Sequence, residues 1–219
     1  MPLPTTRPLS YLVTPGETTR ETTPDGPDFT RLLALVSAAG AASVSLVQLR
    51  EKNLRPRVLY ELAARSVELL RGTPTRLFVN DRADVARAAG AAGVHLTTRS
   101  LDAATVRRAF GPDFLIGVSA HTPDEARAAR DGGADFAVFG PVFDTPSKCA
   151  YGPPAGLDAL AEVARALAPF PVLAIGGVTR ESAPRAILAG AAGVAAIRLF
   201  ADAETLREVV TEIGRAPLA

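Results

Sequence analysis

Short apolar runs alternate with longer amphipathic stretches along this chain, and glycine-rich turns separate the two. One stretch shows the pattern most clearly. Val172-Leu173-Ala174-Ile175 stops at Gly176-Gly177, a helical segment follows with Ala183, Ile187 and Leu188 on one face, and a second apolar run from Gly193 to Ile197 closes the unit. Strand, glycine turn, helix, strand is a βαβ unit, and strands that are apolar throughout suit a parallel sheet buried on both faces. Paired glycines just past a strand leave backbone N–H groups bare and allow a ligand close approach.

The unit repeats. Small-residue turns recur as AAGAASVSLVQL (38–49), AAGAAGVHL (88–96), DGGADFAVF (131–139) and LAGAAGVAAI (188–197), each placing a glycine between a helix end and a new strand. Their spacing of about 50 residues is twice one βα unit. Four further strands alternate with them, at Tyr11–Val13, Arg76–Asn80, Phe114–Ser119 and Pro171–Ile175. Helical patterns fit between, at 28–39, 56–71, 82–89, 102–110, 123–132, 156–168, 180–189 and 203–214. Eight βα units without a Pro/Ser-rich linker predict one α/β domain over residues 1–219, a closed (β/α)8 TIM barrel. A doubly wound open sheet is the alternative. In such a barrel the Gly176-Gly177 turn follows strand 7, where phosphate is often bound. Two long loops, Pro15–Asp28 and Gly140–Pro154, fall at the same C-terminal mouth and are candidate lids.

Composition narrows the function. The formal net charge of +1 offers no basic field for nucleic acid, and charges interrupt every apolar run well before membrane-spanning length. The N-terminus has no apolar signal-peptide core, which with the rest reads as cytoplasmic. A lone cysteine, Cys149, excludes an internal disulfide framework and a cysteine-rich zinc site. The expected partners are small molecules, with homo-oligomerisation left open.

The predicted strand ends carry a polar set. Gln48, Arg50 and Lys52 alternate with Leu49 and Glu51, so period two places them on one face, in or above the barrel. Strand 3 ends in Asn80-Asp81, strand 5 in Ser119 with His121 just beyond, and the strand 6 loop adds Thr145, Ser147 and Lys148. Any one strand-end charge is most simply solvation, but cations converging from several strands beside glycine N–H groups suit a polyanion. Asp81 repels an anion directly, and its natural role there is as a Mg²⁺ ligand bridging to phosphate oxygens. His95 reads as a packed residue at the end of strand 4 and Cys149 as an incidental loop residue.

LVQLREK (46–52), FVNDRADVA (78–86), GVHL (93–96), IGVSAHTPDEA (116–126), GADFAVFGPVFDTPSK (133–148) and PVLAIGGVT (171–179) together resemble the thiamine phosphate synthase/TenI family, over roughly residues 44–200. The resemblance implies a (β/α)8 barrel and a role in thiamine biosynthesis. The synthase joins hydroxymethylpyrimidine diphosphate to a thiazole phosphate and releases pyrophosphate. By resemblance Gln48, Arg50, Lys52, Asn80, Ser119 and Lys148 hold the pyrimidine diphosphate and Asp81 binds Mg²⁺. Thr145, Ser147, Gly177 with its neighbour Gly176, and the backbone near Ile197 hold the thiazole phosphate.

Two positions depart from the synthase pattern. A second Mg²⁺-binding aspartate is usual in the segment after strand 4, where this chain has GVHLTTRS with Ser100 at that place. A hydroxyl is a poorer Mg²⁺ ligand than a carboxylate, and Asp102 lies at a predicted helix start. At the end of strand 8 the family's serine is replaced by Arg198, which either clamps a phosphate or fills the thiazole pocket. These changes resemble the TenI branch of thiazole tautomerases, where a histidine at the position of His121 moves a proton. Three readings therefore stand: synthase, tautomerase, and a non-catalytic thiazole- or thiamine-phosphate-binding relative. The cations Arg50, Lys52 and Lys148 favour the synthase, because a single monophosphate has little need of them.

Overall fold

Eight parallel strands close on themselves in sequence order: β1 (Leu9–Val13), β2 (Leu46–Leu49), β3 (Arg76–Asn80), β4 (Gly93–Leu96), β5 (Leu115–Ala120), β6 (Phe136–Phe139), β7 (Val172–Ile175) and β8 (Gly193–Ala196). The computed structural model describes residues 3, 6–145 and 153–218. β8 pairs back onto β1, with Tyr11 beside Ala195, so no strand edge remains and the open-sheet alternative is excluded. Between the strands run α1 (Pro27–Ala41), α2 (Pro56–Leu70), α3 (Ala83–Ala89), α4 (Ala103–Phe110), α5 (Pro123–Asp131), α6 (Gly156–Leu167), α7 (Ala183–Leu188) and α8 (Leu206–Arg215).

Strand alternation sorts the apolar residues into two cores. Outward positions such as Leu12, Val47, Leu77, Val94, Ile116 and Val194 join the inner faces of the helices. Inward positions, among them Leu9, Tyr11, Leu46, Phe78, Phe136 and Leu173, fill the barrel axis. The space inside eight strands is narrow, so large inward residues need small neighbours. Phe78 stands beside Gly93, Phe136 beside Gly117, and Leu9 beside Gly193. Tyr11, Phe78 and Phe136 then meet edge to face, with centroids 5.4–5.9 Å apart.

Local chemistry sets the helix ends. Pro27, Pro56 and Pro123 open α1, α2 and α5 in the first turn, where the missing N–H costs nothing. Asp102 and Thr122 cap α4 and α5 by accepting from Thr105 N and Glu125 N. Three of the repeated turns use a positive-φ glycine, at Gly90, Gly133 and Gly190. The first turn differs from expectation: α1 runs through Gly40, whose Cβ position faces Leu70, and Ser43 takes the left-handed conformation instead. α7 is shorter than its pattern, because Thr179 and Ser182 bond each other in a turn before it. No helix among the described residues is long and apolar enough to cross a membrane.

The steric requirement inside the barrel is testable. A Cβ on Gly193 would lie 2.1 Å from the Leu9 carbonyl oxygen, which is backbone and cannot swing aside. Gly193→Ala is expected to destabilise the fold by about 2 kcal/mol or more in urea unfolding. Gly214 in α8 has nothing within 4 Å of the same position, and Gly214→Ala should be neutral or add about 0.5 kcal/mol. Equal effects of the two would contradict this account of the interior.

Candidate active site at the C-terminal mouth

The top inward layer of the barrel is polar, and it forms the floor of the mouth. Gln48 Nε2 donates to Asn80 Oδ1 at 3.1 Å, and both residues are buried. His95 lies between Tyr11 and Ser119, with Nδ1 3.1 Å from the Tyr11 hydroxyl and Nε2 3.0 Å from Ser119 Oγ. Burial depresses the His95 pKa to about 3 and pushes the Tyr11 phenol well above its usual range, so both are neutral. His95 therefore does pack at the end of β4, with both ring nitrogens engaged.

Just above the floor, one carboxylate shapes the first long loop. Glu51 is 2% exposed, and it accepts from Thr14 Oγ1 (2.6 Å), Gly16 N (3.1 Å), Thr18 N (3.3 Å) and Thr18 Oγ1 (2.7 Å). Four donors satisfy the buried carboxylate and tie the β1–α1 loop to the end of β2. Arg50 N donates in turn to Thr14 Oγ1 at 2.8 Å, and Arg50 sits half-buried beneath Gly16. Period two had paired Arg50 and Lys52 with Gln48, but β2 ends at Leu49 and the alternation ends with it. Gln48 stays on the floor, whereas Lys52 lines a separate cavity. Glu51, read only as an outward-facing partner in the alternation, is the structural residue of this segment. An acid set between two cations, Arg50 and Lys52, was its one signal.

Two of the cavities at the mouth collect the polar candidates. The larger, about 330 Å³, lies over β7 and β8 and is lined by Thr145, Ile175, Gly176, Gly177, Ile197 and Arg198. Its two glycines are explained by the chain before any ligand is considered. Both have positive φ, and a Cβ would meet Pro141 at 2.5 Å from Gly176 and the Asp144 carbonyl at 2.3 Å from Gly177. The close approach they permit is that of the β6–α6 loop, which donates Phe143 N to Gly176 O at 3.0 Å. Arg198 begins a short 3₁₀ turn, Arg198–Phe200, and enters this cavity with no hydrogen-bond or ion-pair partner for its guanidinium among the described residues.

The second cavity, about 230 Å³, lies over β2–β4 and brings together Lys52, Asn80, Asp81, Arg82, Thr97 and Arg99. Arg82 is held in a two-point ion pair with Asp84, which raises the arginine pKa and lowers that of Asp84. Asp81 is exposed at φ 58°, with its N–H donating to His95 O at 2.9 Å. An aspartate tolerates the left-handed region better than most residues, and such positions gather at functional sites. Arg99 was not anticipated.

The donor set around Asp81 decides how a divalent cation fits. Ser100 Oγ accepts from Thr97 N at 2.8 Å and bonds Thr97 Oγ1 at 3.1 Å, so its hydroxyl is engaged in a turn. Asp102 spends its carboxylate on Thr105, as the α4 cap. Among the described residues no three His, Cys, Asp or Glu side chains gather as a metal group. Asp81 alone suits Mg²⁺ in one mode, with a single carboxylate plus substrate phosphate oxygens and water.

His121 stands exposed beyond β5. Its Nδ1 lies 2.5 Å from Gly140 O, and its backbone N–H donates to Glu125 Oε2 at 2.6 Å. A carbonyl only accepts, so Nδ1 carries the proton and Nε2 is left as the basic nitrogen. Ser147 and Lys148 lie outside the described residues, as does Cys149.

This geometry defines a class first: a (β/α)8 barrel whose polar side chains and cavities gather at the C-terminal mouth, where barrels of this kind carry their chemistry. The family model described as thiamine monophosphate synthase matches residues 11–200. A relative from Geobacter sulfurreducens is 50% identical over 166 residues, covering 76% of this chain and 78% of its own. The thiamine-phosphate synthase of Moorella thermoacetica is 42% identical over 186 residues, covering 82% and 88%. The solved thiamine phosphate pyrophosphorylase of Pyrococcus furiosus superposes with a TM-score of 0.74 at 27% identity, covering 94% of this chain and 96% of that one. The chain belongs to the thiamine monophosphate synthase family.

Two outcomes test the energetics of the mouth. Glu51→Gln turns an NH₂ toward donors that need an acceptor, and should cost about 2 kcal/mol, with faster amide exchange at Gly16 and Thr18. Unchanged exchange there would show that Glu51 does not hold the loop. The buried, neutral His95 predicts acid lability. An unfolded histidine protonates near 6.5 and the folded one only near 3. Its contribution is complete above the unfolded value and is lost at up to about 1.4 kcal/mol per pH unit as pH falls between the two. Urea midpoints near pH 7 and near pH 5 should therefore diverge more in the native chain than in His95→Gln, and equal divergence would refute the assignment.

Proposed function

We propose that this chain is a thiamine phosphate synthase, coupling hydroxymethylpyrimidine diphosphate to a thiazole phosphate with release of pyrophosphate. The observation that carries this reading is the pairing of two unlike cavities over one polar floor. A cationic cavity contains Lys52, Asp81 and Arg99, and a more apolar one is lined by Gly176, Gly177 and Arg198. A reaction joining a diphosphate to a monophosphate needs two anion sites flanking one reacting carbon. The relatives named thiamine-phosphate synthase support the same reaction.

In this reading Gln48, Asn80 and Ser119 hold the pyrimidine, and Arg50, Lys52 and Lys148 take the diphosphate. Thr145, Ser147, the Gly176–Gly177 backbone, Ile197 and Arg198 receive the thiazole phosphate. The bond between the pyrimidine methylene and its oxygen breaks, and pyrophosphate carries away the electron pair. The thiazole nitrogen then forms the new bond to the methylene carbon. Charge on the departing oxygens grows toward the transition state, so the cations Arg50, Lys52 and Lys148 stabilise that state more than the bound substrate. Alignment of the two substrates supplies much of the remainder. Asp81 would hold Mg²⁺, which when bound adds positive charge at the diphosphate. The thiazole nitrogen is the nucleophile, so none is needed from the protein.

A second reading, thiazole tautomerase, draws on His121, whose Nδ1–H is engaged by Gly140 O and whose Nε2 is the basic nitrogen. The two readings separate in one assay pair. Mg²⁺-dependent thiamine phosphate formation is expected, with Asp81→Asn lowering kcat/KM on the order of 10²-fold and His121→Ala leaving coupling within about 5-fold. No coupling, together with proton exchange at the thiazole that His121→Ala abolishes, would replace the synthase reading with the tautomerase one.

A further inference from the structure

The hydrogen-bond chain under the mouth has a direction, and the direction follows from burial. Tyr11 is fully buried, and among the described residues His95 Nδ1 is the one hydrogen-bond partner of its hydroxyl. Two tautomers of His95 are available in principle. If Nδ1 carried the proton, it would donate to the Tyr11 oxygen, and the phenolic O–H would be left buried with no acceptor. If Nδ1 is bare, the Tyr11 O–H donates to it and every group is satisfied. The proton of His95 then sits on Nε2, which donates to Ser119 Oγ at 3.0 Å. With its oxygen accepting from His95, Ser119 has its own O–H left to give, and it is only half-buried at the mouth.

The packing holds this arrangement in place. A Cβ on Gly117 would lie 2.9 Å from His95 Nδ1 and 2.4 Å from the Phe136 ring, so a strand glycine makes the room for the imidazole. The Tyr11 and Phe136 rings tilt against the imidazole at 5.6 and 6.1 Å. The neutral state required of His95 agrees with its burial.

We propose that Tyr11 and His95 are positioning residues that fix Ser119 as a hydrogen-bond donor on the floor of the mouth, matched to an acceptor atom of the pyrimidine diphosphate. The identity of the ligand rests on the synthase reading, whereas the direction of the chain does not. Neither Tyr11 nor His95 touches substrate. Their effect is to fill one acceptor site of the Ser119 oxygen and leave its O–H free to donate, so that a ligand offering an acceptor at that point is favoured over one offering a donor.

Two measurements test this, and they fail separately. The first is nitrogen-15 NMR of the imidazoles in the free protein at neutral pH, which is tractable because the chain has 2 histidines. His95 should show a protonated Nε2 and a bare Nδ1, and the opposite tautomer or an imidazolium would overturn the proposal whatever the enzyme catalyses. The second is a cycle of Tyr11→Phe and Ser119→Ala, read as KM against kcat and as direct binding of hydroxymethylpyrimidine diphosphate. Tyr11→Phe should weaken binding by up to about 10-fold with kcat little changed, and the double variant should bind no worse than Ser119→Ala alone. Additive losses, or a Tyr11→Phe variant that folds and binds as the native chain does, would overturn it. Absence of coupling activity with the predicted tautomer present would count against the synthase reading and leave the direction of the chain standing.

Discussion

The narrow interior of the barrel is the constraint from which the rest follows. Eight strands of four to six residues enclose too little space for a large side chain at every inward position. Phe136 and His95 fit because Gly117 gives up its side chain beside them, while Gly93 and Gly193 let the strand backbones at Leu115 and Leu9 come close. That exchange makes the lower axis dry. Dryness then decides protonation: an imidazole without water or a counter-charge stays neutral, and a phenol keeps its proton. The polar floor of the mouth is thus built on a layer whose electrostatic state is set by packing.

The fold was legible in the sequence because its two periodicities are strong and repeated. All-apolar runs of four or five residues beside helical patterns mark buried parallel strands, and the recurring Ala-Gly turns fix their number. Boundaries were less legible where short side chains compete with the helix. Thr179 and Ser182 bond each other and delay α7, and Gly40 is absorbed into α1 by contact with Leu70. These are tertiary or local-turn effects that helix periodicity does not contain.

The site was legible in part, and the division has a physical cause. Residues inside strands keep the alternation, so Gln48, Asn80 and Ser119 reach the floor as their spacing requires. Beyond the strand ends the alternation carries no information, and Lys52 turns into a cavity away from Gln48. Glu51 escaped notice because its role depends on donors at Thr14, Gly16 and Thr18, more than thirty positions earlier, which no local pattern connects to it. Arg99 was hidden for a related reason. The turn that engages the Ser100 hydroxyl with Thr97 is the same segment that brings Arg99 to the cavity, and a change of turn chemistry is not visible as a change of period.

The mouth therefore combines two kinds of construction. Its floor is carried by strands and satisfied internally, through Gln48–Asn80 and Tyr11–His95–Ser119, so it presents fixed donors and acceptors without reorganisation. Its walls are carried by loops and hold most of the charge: Arg50 under the β1–α1 loop, Lys52 and Arg99 over β2–β4, and Arg198 past β8. A neutral directional floor is suited to recognising an uncharged ring. Charged walls on flexible stems are suited to phosphate groups, whose geometry changes as a bond breaks. Glu51 joins the two, since one buried carboxylate holds the β1–α1 loop against the strand end that carries both Gln48 and Arg50. The acid two residues past the end of β2 thus ties the strand-borne floor to the loop-borne charged rim.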